Sequence, residues 1–256
     1  MRFASLGSGS RGNATLIERN GTRLLVDCGF SAREAERRLL ALGVGADSLT
    51  ALVVTHEHID HVRGIARLAA RYRLPVWMTP GTHAAWGAQA GLADIELFSP
   101  HEAFALNDLE MLPFPVPHDA REPCQFVVSD GAWRLALLSD AGRATPHMRE
   151  MLRGCDALML ECNHDPDMLA AGPYPASVKR RISGREGHLS NGQAAGLLRE
   201  ILDSGLQHVI ATHLSENNNS PQAARDALAA VLGCEPEWVT VAGQKDGFTW
   251  RQIIST

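Results

Sequence analysis

No Cys-x-x-Cys pair occurs in the 256 residues. The five cysteines, Cys28, Cys124, Cys155, Cys162 and Cys234, are odd in number and widely spaced. This excludes a disulfide framework and a zinc site of paired thiolates, and makes a reducing, cytoplasmic setting the expectation. No run of 18 apolar residues is present, and MRFASLGSGS has no long apolar segment after its arginine, so neither a membrane span nor a signal peptide is expected. An excess of basic charge is missing too. The chain has 24 Lys and Arg against 29 Asp and Glu, a net charge of -5. There is no overall electrostatic footprint for nucleic acid, although a local basic patch is compatible with that total. Repeats, low-complexity linkers and charge blocks are absent, and a single domain over residues 1–256 is the economical reading. Oligomeric state stays open.

What is present alternates between strand and helix patterns. RFASLG reads as a strand, SGSRGN as a glycine loop, and TLIERNGTRLLVD as a hairpin turning at Asn20-Gly21. Ser31 fits an N-cap for AREAERRLLALG, ended by Gly43. ALVVT is a buried strand by composition and VRGIARLAARY has helical spacing, which places HEHIDH at a strand-to-helix corner. PVWMT, IELFS and LEMLPFPVP read as strands, PGTHAAWGAQAG as a helix, and CQFVVSDGAWRLALLSD as a hairpin around Asp130-Gly131. Beyond a helix ending at Arg153 come the strand ALMLE, a helix from Asn191 to Ser204, the strand HVIAT, a helix from Pro221 to Leu232, and the strands EWVTVAG and FTWRQII. Residues 165–187 fit no element.

Gly7, Gly9 and Gly12 spell G-x-G-x-x-G after a strand, but dinucleotide binding needs a helix N-terminus next, and a hairpin follows. The stronger signal is THEHIDH. His56, His58, Asp60 and His61 put four metal-competent side chains within six residues, in a chain with only 11 histidines. More His and Asp stand at the ends of apolar strands: His118 after LEMLPFPVP, Asp140 after LALLS and His213 after HVIAT. Strand ends are where a rigid scaffold presents reactive groups.

On these residues the chain resembles the metallo-β-lactamase superfamily, over essentially its whole length. The resemblance implies an α/β, four-layer αββα sandwich with a metal site at one edge of the sheets. It implies that His56, His58 and His118 hold one divalent metal, that Asp60, His61 and His213 hold a second, and that Asp140 bridges them. Zinc fits such ligands, as do manganese and iron. Two cations roughly 3.5 to 4 Å apart lower the pKa of a shared water toward about 7 and clamp a phosphoryl or acyl oxygen. Asp27, at the end of RLLVD, fits either a partner that orients a ligand or a turn cap.

ECNHD at 161–165 and GHLSN at 187–191 resemble the ribonuclease Z and phosphodiesterase branch. There, Glu161 and His188 would form the pair that protonates the leaving group; our own expectation adds Asp60 as the group that orients the attacking hydroxide. The combination SLGSGSRGN, THEHIDH, ECNHD, GHLSN and HLSENN is similar to the bacterial YycJ-like (WalJ-like) group, which implies a 5′ to 3′ exonuclease on double-stranded DNA with zinc or manganese. Ribonuclease J relatives insert a large domain after the bridging Asp. Here 72 residues separate Asp140 from His213, too few for it. The runner-up is a hydrolase of a cyclic phosphodiester, lactone or thioester, and a non-catalytic binding protein is a third reading. Lys179, Arg180, Arg181 and Arg185 fit either a phosphate-backbone contact or a solvated loop. Asn13 and Asn217 to Asn219 fit either phosphate donors or turn residues. His83, His101, His147, His164 and His208 receive no role.

Overall fold

Apolar side chains alternating with a period of two divide nearly every strand between two cores, and that alternation builds the architecture. In the computed structural model, residues 1–87, 94–203 and 205–255 are described. One seven-stranded sheet contains β1 (Arg2–Gly7), β2 (Ala14–Arg19), β3 (Thr22–Val26), β4 (Ala51–Val53), β5 (Pro75–Met78) and β6 (Asp94–Leu97), with β14 (Phe248–Gln252) beside β1. The other runs from β7 (Phe104–Leu106) through β8 (Leu109–Pro115), β9 (Cys124–Ser129), β10 (Arg134–Leu138), β11 (Ala157–Glu161) and β12 (His208–Thr212) to β13 (Thr240–Val241). Pairing is antiparallel in the hairpins and parallel along β3-β4-β5-β6 and β10-β11-β12-β13, so both sheets are mixed.

Leu135, Leu137 and Met159 point inward and meet Ile17, Leu24 and Val53 of the other sheet. Their neighbours Ala136, Leu138, Leu158 and Leu160 point outward, into a core shared with α5 (Pro146–Leu152), α8 (Asn191–Ile201) and α9 (Pro221–Leu232). Leu16, Leu25 and Leu52 likewise face α1 (Ala32–Ala41), α3 (Ile65–Tyr72) and α4 (Pro80–Trp86). Helices, sheet, sheet, helices is the αββα sandwich that the resemblance implied.

Several sequence readings shift. The helix after HEHIDH starts inside the motif as α2 (Ile59–Val62) and breaks before α3. Gly64 sits at the break because a Cβ there would lie 2.4 Å from the Phe30 carbonyl and 2.6 Å from Cys28 Sγ. Residues 165–187 contain α6 (Pro166–Ala171) and α7 (Ala176–Ile182), and β7 is an additional short strand. Overlapping the start of EWVTVAG, Pro236–Trp238 form a 3-10 turn ahead of β13. α8 ends at Ile201. Of the expected extension to Ser204, Leu202 and Asp203 are not helical, and Ser204, like residues 88–91 of PGTHAAWGAQAG, lies outside the described residues. The hairpin of β2 and β3, not a helix, follows the glycine loop. No helix among the described residues is long and apolar enough to cross a membrane.

Candidate metal centre

The seven metal candidates converge at one edge of the two sheets. His56 follows β4, His58 caps α2, and Asp60 and His61 lie within α2. His118, Asp140 and His213 arrive from the far sheet, after β8, β10 and β12. Asp27, Asp140 and His213 each adopt left-handed backbone just past a strand, with φ of 61, 52 and 55°. Non-glycine residues hold that conformation only where surrounding contacts fix it. Ligand atoms of His56, His58 and His118 lie within 4.8 Å of one another, as do those of Asp60, His61 and His213, and those of His56, His61 and Asp140.

Hydrogen bonds set which ring nitrogen of each histidine is left over. His61 Nδ1 donates to Asp27 Oδ2 at 2.7 Å. His56 Nδ1 donates to Thr55 Oγ1 at 2.9 Å, and Thr55 Oγ1 donates to Asp27 Oδ2 at 2.9 Å. Asp27 therefore orients two rings, one of them through Thr55. His118 Nδ1 donates to the Gly187 carbonyl at 3.1 Å, and His58 Nε2 donates to the Asp119 carbonyl at 3.2 Å. These bonds leave the other ring nitrogens pointing inward: Nε2 of His56, His61 and His118, and Nδ1 of His58. Asn13 lies against His61 and Asp60. Its Oδ1 accepts from Gly9 N and Ser8 Oγ, which turns Nδ2 toward His61 Nε2 at 3.1 Å and Asp60 Oδ2 at 3.3 Å.

The residues fit divalent cations on three observations. His118 Nε2 and His58 Nδ1 face each other at 3.3 Å, and with both outer nitrogens donating, two lone pairs oppose unless a cation or a proton lies between them. His56 Nε2, His213 Nε2 and Asp140 Oδ2 are buried without a hydrogen-bond partner, although Asp140 Oδ2 is only 3.2 Å from His61 Nε2. A buried polar atom left unpaired in this way is costly. Thirdly, Asp27, Asp140 and Glu161 are buried, the first two flanking His61 and the last two flanking His188, a run of negative charge that asks for positive charge.

Protons partly supply that charge when no cation is bound. Burial disfavours a charged His61, yet Asp140, Asp27 and Asp60 hold it well above the ordinary histidine range. His213 is likewise opposed by burial but raised to about 10 by Asp140, Asp60 and Glu161. Burial would raise the carboxyls of Asp60 and Asp140; the nearby imidazoles outweigh it and keep both low. His56 is held well below its usual value, first by burial and then by His61. A cation would displace the protons of His61 and His213 and meet the same carboxylates.

Glu161 and His188 stand beside this cluster in a different way. His188 Nδ1 donates to Glu161 Oε1 at 2.7 Å and lies 3.6 Å from Asp140 Oδ1. Glu161 Oε2 accepts from the backbone N–H of Ala141 at 2.9 Å and of Leu189 at 3.2 Å. Burial raises the Glu161 carboxyl, but His188 outweighs it and holds the group at about 2. Asp140, Glu161, His188 and His213 also approach closely enough to form a metal-competent group.

Three supporting residues had no signal in the sequence. Thr55 links Asp27 to His56, Ser8 Oγ accepts from His213 N at 2.9 Å, and Asn163 Nδ2 donates to the His213 carbonyl at 3.0 Å. Each is an uncharged residue whose only sequence mark is proximity to a motif. His164 is buried, with Nδ1 unpartnered. His83, His101, His147 and His208 join no metal-competent group among the described residues.

Known proteins resemble this chain in sequence and in fold. Residues 22–214 match the Beta-lactamase superfamily domain. The chain is 34% identical over 235 residues to Exodeoxyribonuclease YycJ of Bacillus anthracis, covering 91% of this chain and 89% of that protein. It is 30% identical over 238 residues to Exodeoxyribonuclease WalJ of Streptococcus pneumoniae serotype 2, covering 90% and 88%. The metallo-beta-lactamase fold protein YhfI from Bacillus subtilis superposes with a TM-score of 0.73 at 18% identity, over 96% of this chain and 97% of that one. Human tRNase Z, short form, gives 0.69 at 15% identity, over 100% of each chain. Those two likenesses speak for the fold. With the sequence match, the sandwich and the histidine-carboxylate cluster at its edge, the chain belongs to the metallo-β-lactamase superfamily, as a metal-dependent hydrolase similar to the YycJ and WalJ proteins.

Proposed function

We propose that residues 1–256 form a single catalytic domain that hydrolyses phosphodiester bonds in nucleic acid, as a 5′ to 3′ exonuclease on double-stranded DNA. The observation that carries this reading is the Glu161–His188 pair, 2.7 Å long and 3.6 Å from Asp140. An alkoxide leaving from phosphorus needs a proton at neutral pH, and an imidazole beside the reaction centre is the side chain best suited to give it. His188 Nδ1 is tied to Glu161, and Nε2 has no protein partner among the described residues, so Nε2 is the atom assigned to the leaving oxygen. Both Glu161 oxygens are occupied by hydrogen bonds, which suits orientation of His188 better than coordination of a cation.

His56, His58 and His118 would hold one divalent cation, and Asp60, His61 and His213 a second, with Asp140 shared between them. Such cations supply Lewis acidity toward a phosphoryl oxygen and lower the pKa of water. Zinc fits the donor set best, with manganese or iron as alternatives, because imidazole and carboxylate predominate and the neighbouring thiols are buried and protonated. Asp60, which accepts from Asn13 Nδ2 at 3.3 Å, would orient the attacking water through its carboxylate. The identity to exodeoxyribonucleases over about nine-tenths of the chain supports DNA as the substrate. Five unpaired cysteines suit a reducing, cytoplasmic compartment.

The net charge of -5 favours a second reading, a hydrolase of a small cyclic phosphodiester, lactone or thioester. The two separate on one panel: 5′-labelled duplex DNA, RNA of the same sequence, a cyclic nucleotide and a lactone, each with the protein first stripped by chelation and then reloaded with zinc or manganese. The nuclease reading expects metal-dependent release of short labelled products from the duplex. Turnover of the small substrates alone would reject it.

A further inference from the structure

Residues 166–186 have no part in the chemistry described so far, yet they are tied to both flanks of the centre. On one flank Asp165 N–H donates to the Asn218 carbonyl at 2.9 Å, and Asn217 Nδ2 donates to the Tyr174 hydroxyl at 2.9 Å, just after His213. On the other flank Arg181 grips Asp119, the residue after His118, through Nε at 2.5 Å and Nη2 at 3.2 Å. Asp119 N–H in turn donates to the Glu186 carbonyl at 3.0 Å. Gly142, two residues beyond Asp140, abuts the backbone of Arg185 and Gly187, where a Cβ would come within 2.5 Å. None of the seven residues of α7 is buried. The segment is therefore a ridge along the mouth of the centre, held by polar ties and contributing little to a core.

Its cations divide into two kinds. Lys179 Nζ donates to the Ala170 carbonyl at 2.6 Å, and Arg181 is occupied by Asp119. The Arg181 pair also neutralises a carboxylate that would repel an anionic strand at the mouth. Arg180 and Arg185 are exposed, and so is Arg143 beside Gly142; none of the three is in an ion pair with the described residues. Planar guanidinium groups match phosphate oxygens in two-point contacts.

We propose that this arm binds the phosphodiester backbone of the substrate strand, with Arg180 and Arg185 contacting phosphates beyond the scissile bond and Arg143 extending the same track. The proposal rests on the nuclease reading above. It is tested with the metal-loaded protein, a short phosphorothioate duplex that resists cleavage, the same duplex with ordinary linkages, and bis(p-nitrophenyl) phosphate, which is too small to reach the arm. The double variant Arg180→Ala/Arg185→Ala is expected to bind the resistant duplex roughly tenfold more weakly, with its salt slope reduced by about 2. Arg180→Lys/Arg185→Lys should recover most of that slope, and the metal content of both variants should equal that of the parent.

If the parent binds and cuts the duplex while the alanine variant matches it in affinity and salt slope, the arm assignment is overturned. An equal loss on the duplex and on bis(p-nitrophenyl) phosphate also overturns it, because the arm would then be supporting the centre and not holding a strand. A parent that hydrolyses the small diester but neither binds nor cuts the duplex rejects the nuclease reading and this one with it, a pattern distinct from the other two.

Discussion

His188 and His213 each head a His-Leu-Ser tripeptide, yet their bonds differ. His213 ends a strand in left-handed backbone, is fixed by Ser8 and Asn163 on its main chain, and directs an unpartnered Nε2 at Asp60 and Asp140. His188 lies two residues before the α8 cap Ser190 and is bound to Glu161. Residues that only orient a ligand are tested separately. Thr55→Val keeps the shape of the side chain but removes the acceptor for His56 Nδ1 and one donor to Asp27. It should weaken cation affinity by about 10- to 100-fold without unfolding the chain, as read by competition with a chromophoric chelator. Asp140→Ala should abolish metal-dependent cleavage, because it removes the carboxylate shared by both ligand groups; turnover retained by the loaded variant would reject the scheme.

Among the elements, α2 depends on a close approach that only glycine permits. A Cβ at Gly29 would lie 1.7 Å from the Asp60 carbonyl oxygen, which also accepts from Asn13 N at 2.8 Å. Gly29→Ala must therefore push α2 outward and carry Asp60 and His61 with it. Overpacking of this kind typically costs about 1–3 kcal/mol, so a lower thermal midpoint and loss of cation binding should appear together. The cluster of candidate ligands was legible in the sequence because HEHIDH is a dense local motif and the remaining candidates stand at strand ends. The arm was not: α6 and α7 have 6 and 7 residues, and with no buried face α7 leaves no apolar stripe to read. The split between α2 and α3 was hidden for a related reason. Apolar spacing runs through Gly64, and only the packing of Cys28 and Phe30 explains the break. Thr55, Ser8 and Asn163 acquire their roles from contacts between distant strands, which no local pattern records.

At the scale of the molecule, the αββα sandwich brings metal-competent side chains from two sheets to one edge while burying four of the five thiols. Burial pushes Cys28 up to about 12 and Cys155 up to about 11, and raises Cys124 and Cys162 as well. In native protein at pH 8, a thiol reagent should therefore modify half-buried Cys234 first and reach all five only after denaturation. The linkage has a definite sign. These groups are protonated when folded but ionise near 9.0 when unfolded, so their stabilisation is complete below pH 9 and is lost as pH rises toward their folded values. The urea midpoint should fall on the alkaline side of pH 9, and more shallowly in Cys28→Ala/Cys124→Ala. A steeper or equal fall in that variant would contradict the assignment. The central claim is that one His-Leu-Ser histidine holds metal and the other moves a proton, and it is tested most directly by measuring metal content and duplex-DNA turnover together in His188→Ala and His213→Ala. The account predicts that His188→Ala keeps the parent's metal and loses about 10²- to 10⁴-fold in turnover, while His213→Ala loses metal. Metal loss in His188→Ala, or its full activity, would contradict it.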